Sequence, residues 1–177
     1  MPKDPDRPRA DHSNKLPAAT VEMTQDHEEW QAHHPFVLSL LQELIQLLEL
    51  HYGELSVVLT HDRRIAELNA QYRHQNKPTN VLSFPALSLE GPINVAGLPQ
   101  RPFLLGDIIL AFETITREAD AQGKSFEAHL AHLLTHGLLH ILGHDHIEDG
   151  DAEIMETLEV ALMQQLGYDN PYSLEEA

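Results

Sequence analysis

Apolar residues follow two different rhythms along this chain. Between Phe36 and Leu50 they crowd onto a wide face of a 3.6-residue period, with Pro35 in front and Gly53 behind, which predicts a helix from Pro35 to about His51. Glu54–His61 (ELSVVLTH) is rich in β-branched residues and reads as a strand. Asp62 then stands where it can cap a helix over Arg63–Tyr72, with Ile65 and Leu68 facing inward. Ala18–Met23 and Val81–Phe84 read as short strands, the second ended by Pro85. Phe103–Ala111 (FLLGDIILA) reads as a buried strand carrying Asp107 inside it. Helices follow over Glu113–Gln122, stopped by Gly123, and from a cap at Ser125 to Leu142, with Gly143 just beyond. A last amphipathic helix begins after Gly150 and Asp151 and ends near Gly167.

Strands interleaved with helices, no repeat and no internal boundary predict one α+β domain over residues 18–177, a small mixed sheet packed with helices. Residues 1–17, charged and carrying several prolines, read as a disordered extension without the apolar run of a signal peptide. The stretch 88–102 is long for an uncommitted loop and is a candidate flap. The apolar run Phe36–Leu50 is interrupted by Gln42, Glu43 and Gln46 and is too short to span a bilayer, so a cytoplasmic location and no membrane partner are expected.

Composition narrows the chemistry. Of 177 residues, 28 are acidic, 11 are Lys or Arg and 13 are His, for a formal charge of −17, and there is no Cys. Without Cys there can be no disulfide, thiolate metal site or cysteine nucleophile, and any metal site must use His and carboxylates. The net charge opposes indiscriminate DNA binding.

The histidines concentrate in HGLLHILGHDH, residues 136–146. His136 and His140 lie one helical turn apart on one face, a spacing at which two imidazoles bind one metal ion. Gly143 can stop the helix in a left-handed conformation and turn the chain back, so that His146 becomes a third ligand. Three imidazoles with a fourth position open describe a catalytic rather than a structural zinc site, here at the end of a helix. The H-x₃-H-x₂-G-x₂-H spacing also matches the metzincin proteases, which makes a zinc-dependent peptidase the alternative, but Gly137 occupies the place of their catalytic Glu. His129 and His132 continue the stripe of His136 and His140, either as groups supporting the site or as a polar face.

HGLLHILGHDH resembles the signature of the YbeY endoribonucleases, the bacterial rRNA maturation factors. The likeness extends over Leu68–Pro85 (LNAQYRHQNKPTNVLSFP), Leu104–Leu110 (LLGDIIL), His146–Glu159 and Leu166–Tyr172. The resemblance implies one Zn²⁺ ion held by His136, His140 and His146. It implies single-strand-specific endoribonuclease activity in 16S rRNA 3′-end processing and ribosome quality control, with RNA and ribosomal components as partners. Arg73 matches the family arginine and is the expected further catalytic residue, a guanidinium able to hold a phosphate. His144 replaces the family's usual Tyr and offers a fourth imidazole beside His146. A non-catalytic, ribosome-associated zinc protein is a further alternative.

Charge is also unevenly distributed. Residues 125–177 hold 11 acidic residues and no Lys or Arg, whereas Arg63, Arg64, Arg73 and Lys77 fall close together. That basic segment is the expected entry for an RNA strand.

Overall fold

The computed structural model describes residues 16–87 and 91–173. Along the chain run β1 (Thr20–Gln25), a 3₁₀ turn (Glu28–His33), α1 (His34–Leu47), β2 (Gly53–Thr60), α2 (Asp62–Arg73) and β3 (Val81–Pro85). A short 3₁₀ turn (Val95–Gly97) precedes β4 (Phe103–Ala111), α3 (Phe112–Ala121), α4 (Phe126–Ile141) and α5 (Asp149–Gln165). The four strands form one mixed sheet in the order β1-β2-β4-β3, parallel except for the β3–β4 pair. The architecture is the expected single α+β fold. Most of residues 1–17, expected to be an extension, lie outside the described residues. Pro17 is within them, and its carbonyl accepts a hydrogen bond from the Tyr52 amide.

The main core lies between one face of the sheet and helices α1, α4 and α5. Helix α4 is central: ten of its 16 residues are buried, because α1, α3, α5 and the sheet each take a side. Trp30 closes one end of this core. It is fully buried, packs against Phe112 and Phe126, and donates its indole N–H to the Thr60 carbonyl at 2.7 Å. Helix α2 covers part of the opposite sheet face over a smaller cluster of Ile65, Leu82, Ile109 and Ala111.

Three local expectations change. Strand β4 is not buried throughout. A bulge sets Leu104 opposite Glu54 but Gly106 opposite Leu55, and both Leu104 and Asp107 are exposed where α2 does not reach. Asp107 therefore carries no burial cost and makes no side-chain hydrogen bond among the described residues. The stretch expected to be a flap is instead held down over residues 91–98: Ile93 donates its amide to the Leu142 carbonyl, and Leu98 is buried. Finally, the cap of α2 is His61, whose Nδ1 accepts from the Arg64 amide, and Asp62 is the first helical residue.

Asp62 ties two helix starts together. Its carboxylate accepts from the Thr114 amide, the Thr114 hydroxyl and the Arg117 guanidinium, while Glu113 accepts from the Asp62 amide. Burial pushes the Asp62 carboxyl up, but the bonds from Thr114 and Arg117 outweigh it and hold the group below its ordinary value. Asp62→Ala should cost about 1–2 kcal/mol at neutral pH, the range of a lost cap. A depressed carboxyl stabilises above its unfolded pKa of about 4, and that contribution fades as pH falls through the lower folded value. Urea titrations should therefore show a difference from wild type that shrinks between pH 7 and pH 3.

Candidate metal centre

The last two turns of α4 bring His136 and His140 together edge to face, with ring centroids 4.6 Å apart. The helix then ends in a Schellman turn. Leu142 is the C-cap, Gly143 adopts φ +94°, its amide reaches the His140 carbonyl, and the His144 amide reaches the Leu139 carbonyl. Asp145 caps the loop that follows, its Oδ1 accepting from the amides of His146 and Ile147. These turns return His146 to the helix, its ring centroid 5.1 Å from that of His140 and 5.6 Å from that of His136.

One ligand atom from each of the three rings lies within 4.8 Å of the others. Two imidazole nitrogens on a tetrahedral metal at about 2.0–2.1 Å stand roughly 3.3 Å apart, so small ring rotations bring the set into coordination range. The group can hold a metal ion. His144 is half-buried beside it and outside the three-ring set.

A buried carboxylate that the sequence reading did not single out orients this set. Glu159, on α5, has no solvent exposure. Its Oε1 lies 2.5 Å from His136 Nδ1, and its Oε2 accepts from His132 Nε2 at 3.0 Å and from the Tyr172 hydroxyl. Fixing the proton on Nδ1 leaves Nε2 of His136 free to face the other imidazoles. Burial would raise the Glu159 carboxyl, but the bonds from His132, His136 and Tyr172 bring it down to about 2. Tyr172 moves the other way, pushed up by burial and by the adjacent Glu159, so its hydroxyl stays a donor. Burial, with His136 and His146 nearby, lowers His140 to about 4. A neutral imidazole is the form that binds metal.

The stripe on α4 thus divides. His132 belongs to the Glu159 cluster. His129 instead pairs with Glu118 at 3.0 Å, an acceptor shared with Asn80, and braces α4 against α3 away from the three rings. Gly137 has a packing role. A Cβ there would meet Ser83 Oγ at 2.9 Å, Val81 Cγ2 at 3.5 Å and Ile108 Cδ1 at 3.6 Å. Position 137 therefore faces the sheet, and the metzincin-like Glu has no counterpart here.

Two of the three rings, His140 and His146, border an open cleft of about 470 Å³ that is also lined by Arg73, Pro85, Leu87, His144 and Ile147. Arg73 is the last residue of α2, which His74 ends in the left-handed conformation. The rest of the expected basic entry is dispersed. Arg63 pairs with Glu67 and Arg64 with Asp26, roughly 14–15 Å back along the helix, and Lys77 is outside the cleft lining.

A three-imidazole centre with an open side, at the end of the central helix of a small α+β domain, describes a class of proteins equipped for metal-assisted chemistry on a substrate in a cleft. The profile of the family Endoribonuclease YbeY matches residues 18–167. The chain belongs to the YbeY endoribonuclease family. It is 53% identical over 119 residues to the Endoribonuclease YbeY of Sinorhizobium fredii, an alignment covering 67% of this chain and 65% of that protein. With the Endoribonuclease YbeY of Ruegeria pomeroyi it shares 42% identity over 164 residues, covering 88% of this chain and 99% of the relative. The solution structure of TM1509 from Thermotoga maritima matches at a TM-score of 0.53 and 21% identity, covering 88% of this chain and all of that one, a likeness of fold.

Proposed function

We propose that this chain is a single-strand-specific, metal-dependent endoribonuclease acting in 16S rRNA 3′-end maturation and ribosome quality control in the cytoplasm. Zn²⁺ is the metal assigned, with His136, His140 and His146 as its ligands and RNA and ribosomal components as partners. The observation that carries the reading is the convergence of three imidazoles, two of which line a cleft that also holds Arg73. The family named Endoribonuclease YbeY supplies the substrate class. Among the described residues no helix is long and apolar enough to cross a membrane.

The chain's own groups divide the work. Glu159 holds the His136 ring and its tautomer, and burial keeps His140 unprotonated. Arg73 can donate two parallel hydrogen bonds to a phosphate and offset charge growing on its oxygens. A metal ion held by the three imidazoles would supply Lewis-acid polarisation of a phosphate oxygen and a lowered pKa for water. Position 137 faces the sheet, so the adjacent-Glu route of peptide hydrolysis has no side chain to run through.

The test treats purified full-length protein with and without chelator and presents single-stranded RNA, duplex RNA and a peptide panel, with metal content measured alongside. Near-stoichiometric zinc, cleavage of the single strand alone, and loss of cleavage after chelation with the circular dichroism spectrum retained are expected. Peptide cleavage in place of RNA cleavage would overturn the reading in favour of a peptidase. Unfolding on chelation without any RNA cleavage would overturn it in favour of a structural zinc.

A further inference from the structure

Tyr72, in the last turn of α2, is 58% exposed. It stands four residues after Leu68, at the open end of the small cluster beneath α2, and its ring lies 5.2 Å from that of Phe84 at 58°. Phe84 supports the Tyr72 ring through this tilted contact, and more than half of the residue is left to solvent. The neighbours of both aromatics, Arg73 and Pro85, line the cleft beside His140 and His146. Leu87 and Ile147, the latter 80% exposed, add apolar surface to the same cleft.

We infer that Tyr72, backed by Phe84, is a stacking platform for an unpaired base of an RNA strand whose phosphate lies at Arg73. The inference rests on the ribonuclease reading and adds how the strand is held. Charge is the first argument. Proteins that hold nucleic acid mainly through phosphates release a counterion for each one neutralised, which takes many Lys and Arg. This chain has a formal charge of −17, and Arg73 is the one Lys or Arg lining the cleft among the described residues. Arg73 makes no ion pair among the described residues, so its guanidinium is available to a phosphate, whereas Arg63 and Arg64 are paired with carboxylates. Affinity must therefore come largely from uncharged contacts, and stacking on an aromatic ring is the strong sequence-tolerant one. Position is the second argument. Tyr72 and Arg73 are consecutive at the end of α2, so their side chains diverge by about 100° and the ring stands outside the cleft that Arg73 lines, on the path of a strand leaving it. Selectivity follows: the bases of a duplex are already stacked on each other and offer no free face to Tyr72.

Binding of the full chain to a short labelled 2′-O-methyl oligoribonucleotide, followed by fluorescence anisotropy across a salt series, tests this. Tyr72→Leu, which keeps apolar contact with Phe84 but loses the flat face, should bind the single strand about tenfold more weakly at every salt concentration. Its dependence of log K on log salt should be unchanged, and Tyr72→Trp should recover the affinity. Arg73→Ala should instead reduce that slope by about 0.7, the loss of one phosphate contact on a single strand. Wild-type affinity in Tyr72→Leu, or an equal loss towards duplex RNA, would overturn the inference while leaving the ribonuclease reading intact if wild type still cleaves RNA. Failure of wild type to cleave RNA overturns the ribonuclease reading itself.

Discussion

Glu159→Gln should weaken zinc binding by about 10- to 100-fold, the usual effect of removing a group that orients a ligating histidine. The substitution changes almost no volume. Its amide oxygen can still accept from His136 Nδ1, but its NH₂ then faces His132 Nε2 and the Tyr172 hydroxyl, both of which donate to Glu159 in the native cluster. A fully buried acceptor of three bonds thus becomes one acceptor and one mismatched donor, and the charge that matches the two imidazoles and the hydroxyl disappears. Buried donors left facing a donor cost about 1–3 kcal/mol each, so the metal-free variant should also unfold at clearly lower denaturant. Competition with a chromophoric chelator reads the first effect and urea titration of the apo-protein reads the second. Unchanged zinc affinity would show that His136 is held by its helix alone. The same experiment on His129→Gln is the internal contrast. His129 lies on the same helical stripe but answers to Glu118, so its replacement should leave zinc affinity within about twofold of wild type while costing some stability.

That contrast also marks where the sequence is readable. The i,i+4 pair His136–His140 and the helix-stopping Gly143 are local features, and a helix with a Ser125 cap delivers them wherever the rest of the chain goes. The fate of His129 and His132 is not local. They occupy the same stripe and separate only because α3 brings Glu118 to one and α5 brings Glu159 to the other. Glu159 did leave a signal: it falls four residues after Met155 and four before Met163, in the register of the buried face of α5. A carboxylate in such a register must find donors, because an unpaired one would be too costly to bury. The basic segment misled for the complementary reason. Arg63, Arg64 and Arg73 are close in sequence, but a helix spreads them along its length, and Glu67 on the same helix pairs with Arg63 while Asp26, beyond β1, pairs with Arg64. Asp107 misled because a strand's burial depends on what covers each face, and α2 covers only part of this one.

Gly143→Ala should be among the most damaging single-methyl changes available to this protein. The residue sits at φ +94°, where a Cβ alone costs about 1–2 kcal/mol. The added carbon would also lie 2.2 Å from the Gly91 carbonyl oxygen and 3.2 Å from Pro92 Cα, which are backbone and cannot rotate aside. Either residues 91–93 lift off the end of α4, giving up the bond from the Ile93 amide to the Leu142 carbonyl, or the Schellman turn opens. The expected loss is about 4 kcal/mol, at the upper end for one substitution. It should be accompanied by weakened zinc binding, because the turn is what returns His146 to His136 and His140. Gly150→Ala is the matched control: a Cβ there meets nothing within 4 Å in the first turn of α5, so the same methyl should be neutral or stabilising by about 0.5 kcal/mol. Denaturant midpoints for the two variants, with zinc affinity measured where both remain folded, decide the matter. A Gly143→Ala protein as stable as Gly150→Ala would mean that the 91–93 contact does not exist in solution. One that is destabilised but binds zinc normally would mean that His146 reaches the site without help from the turn.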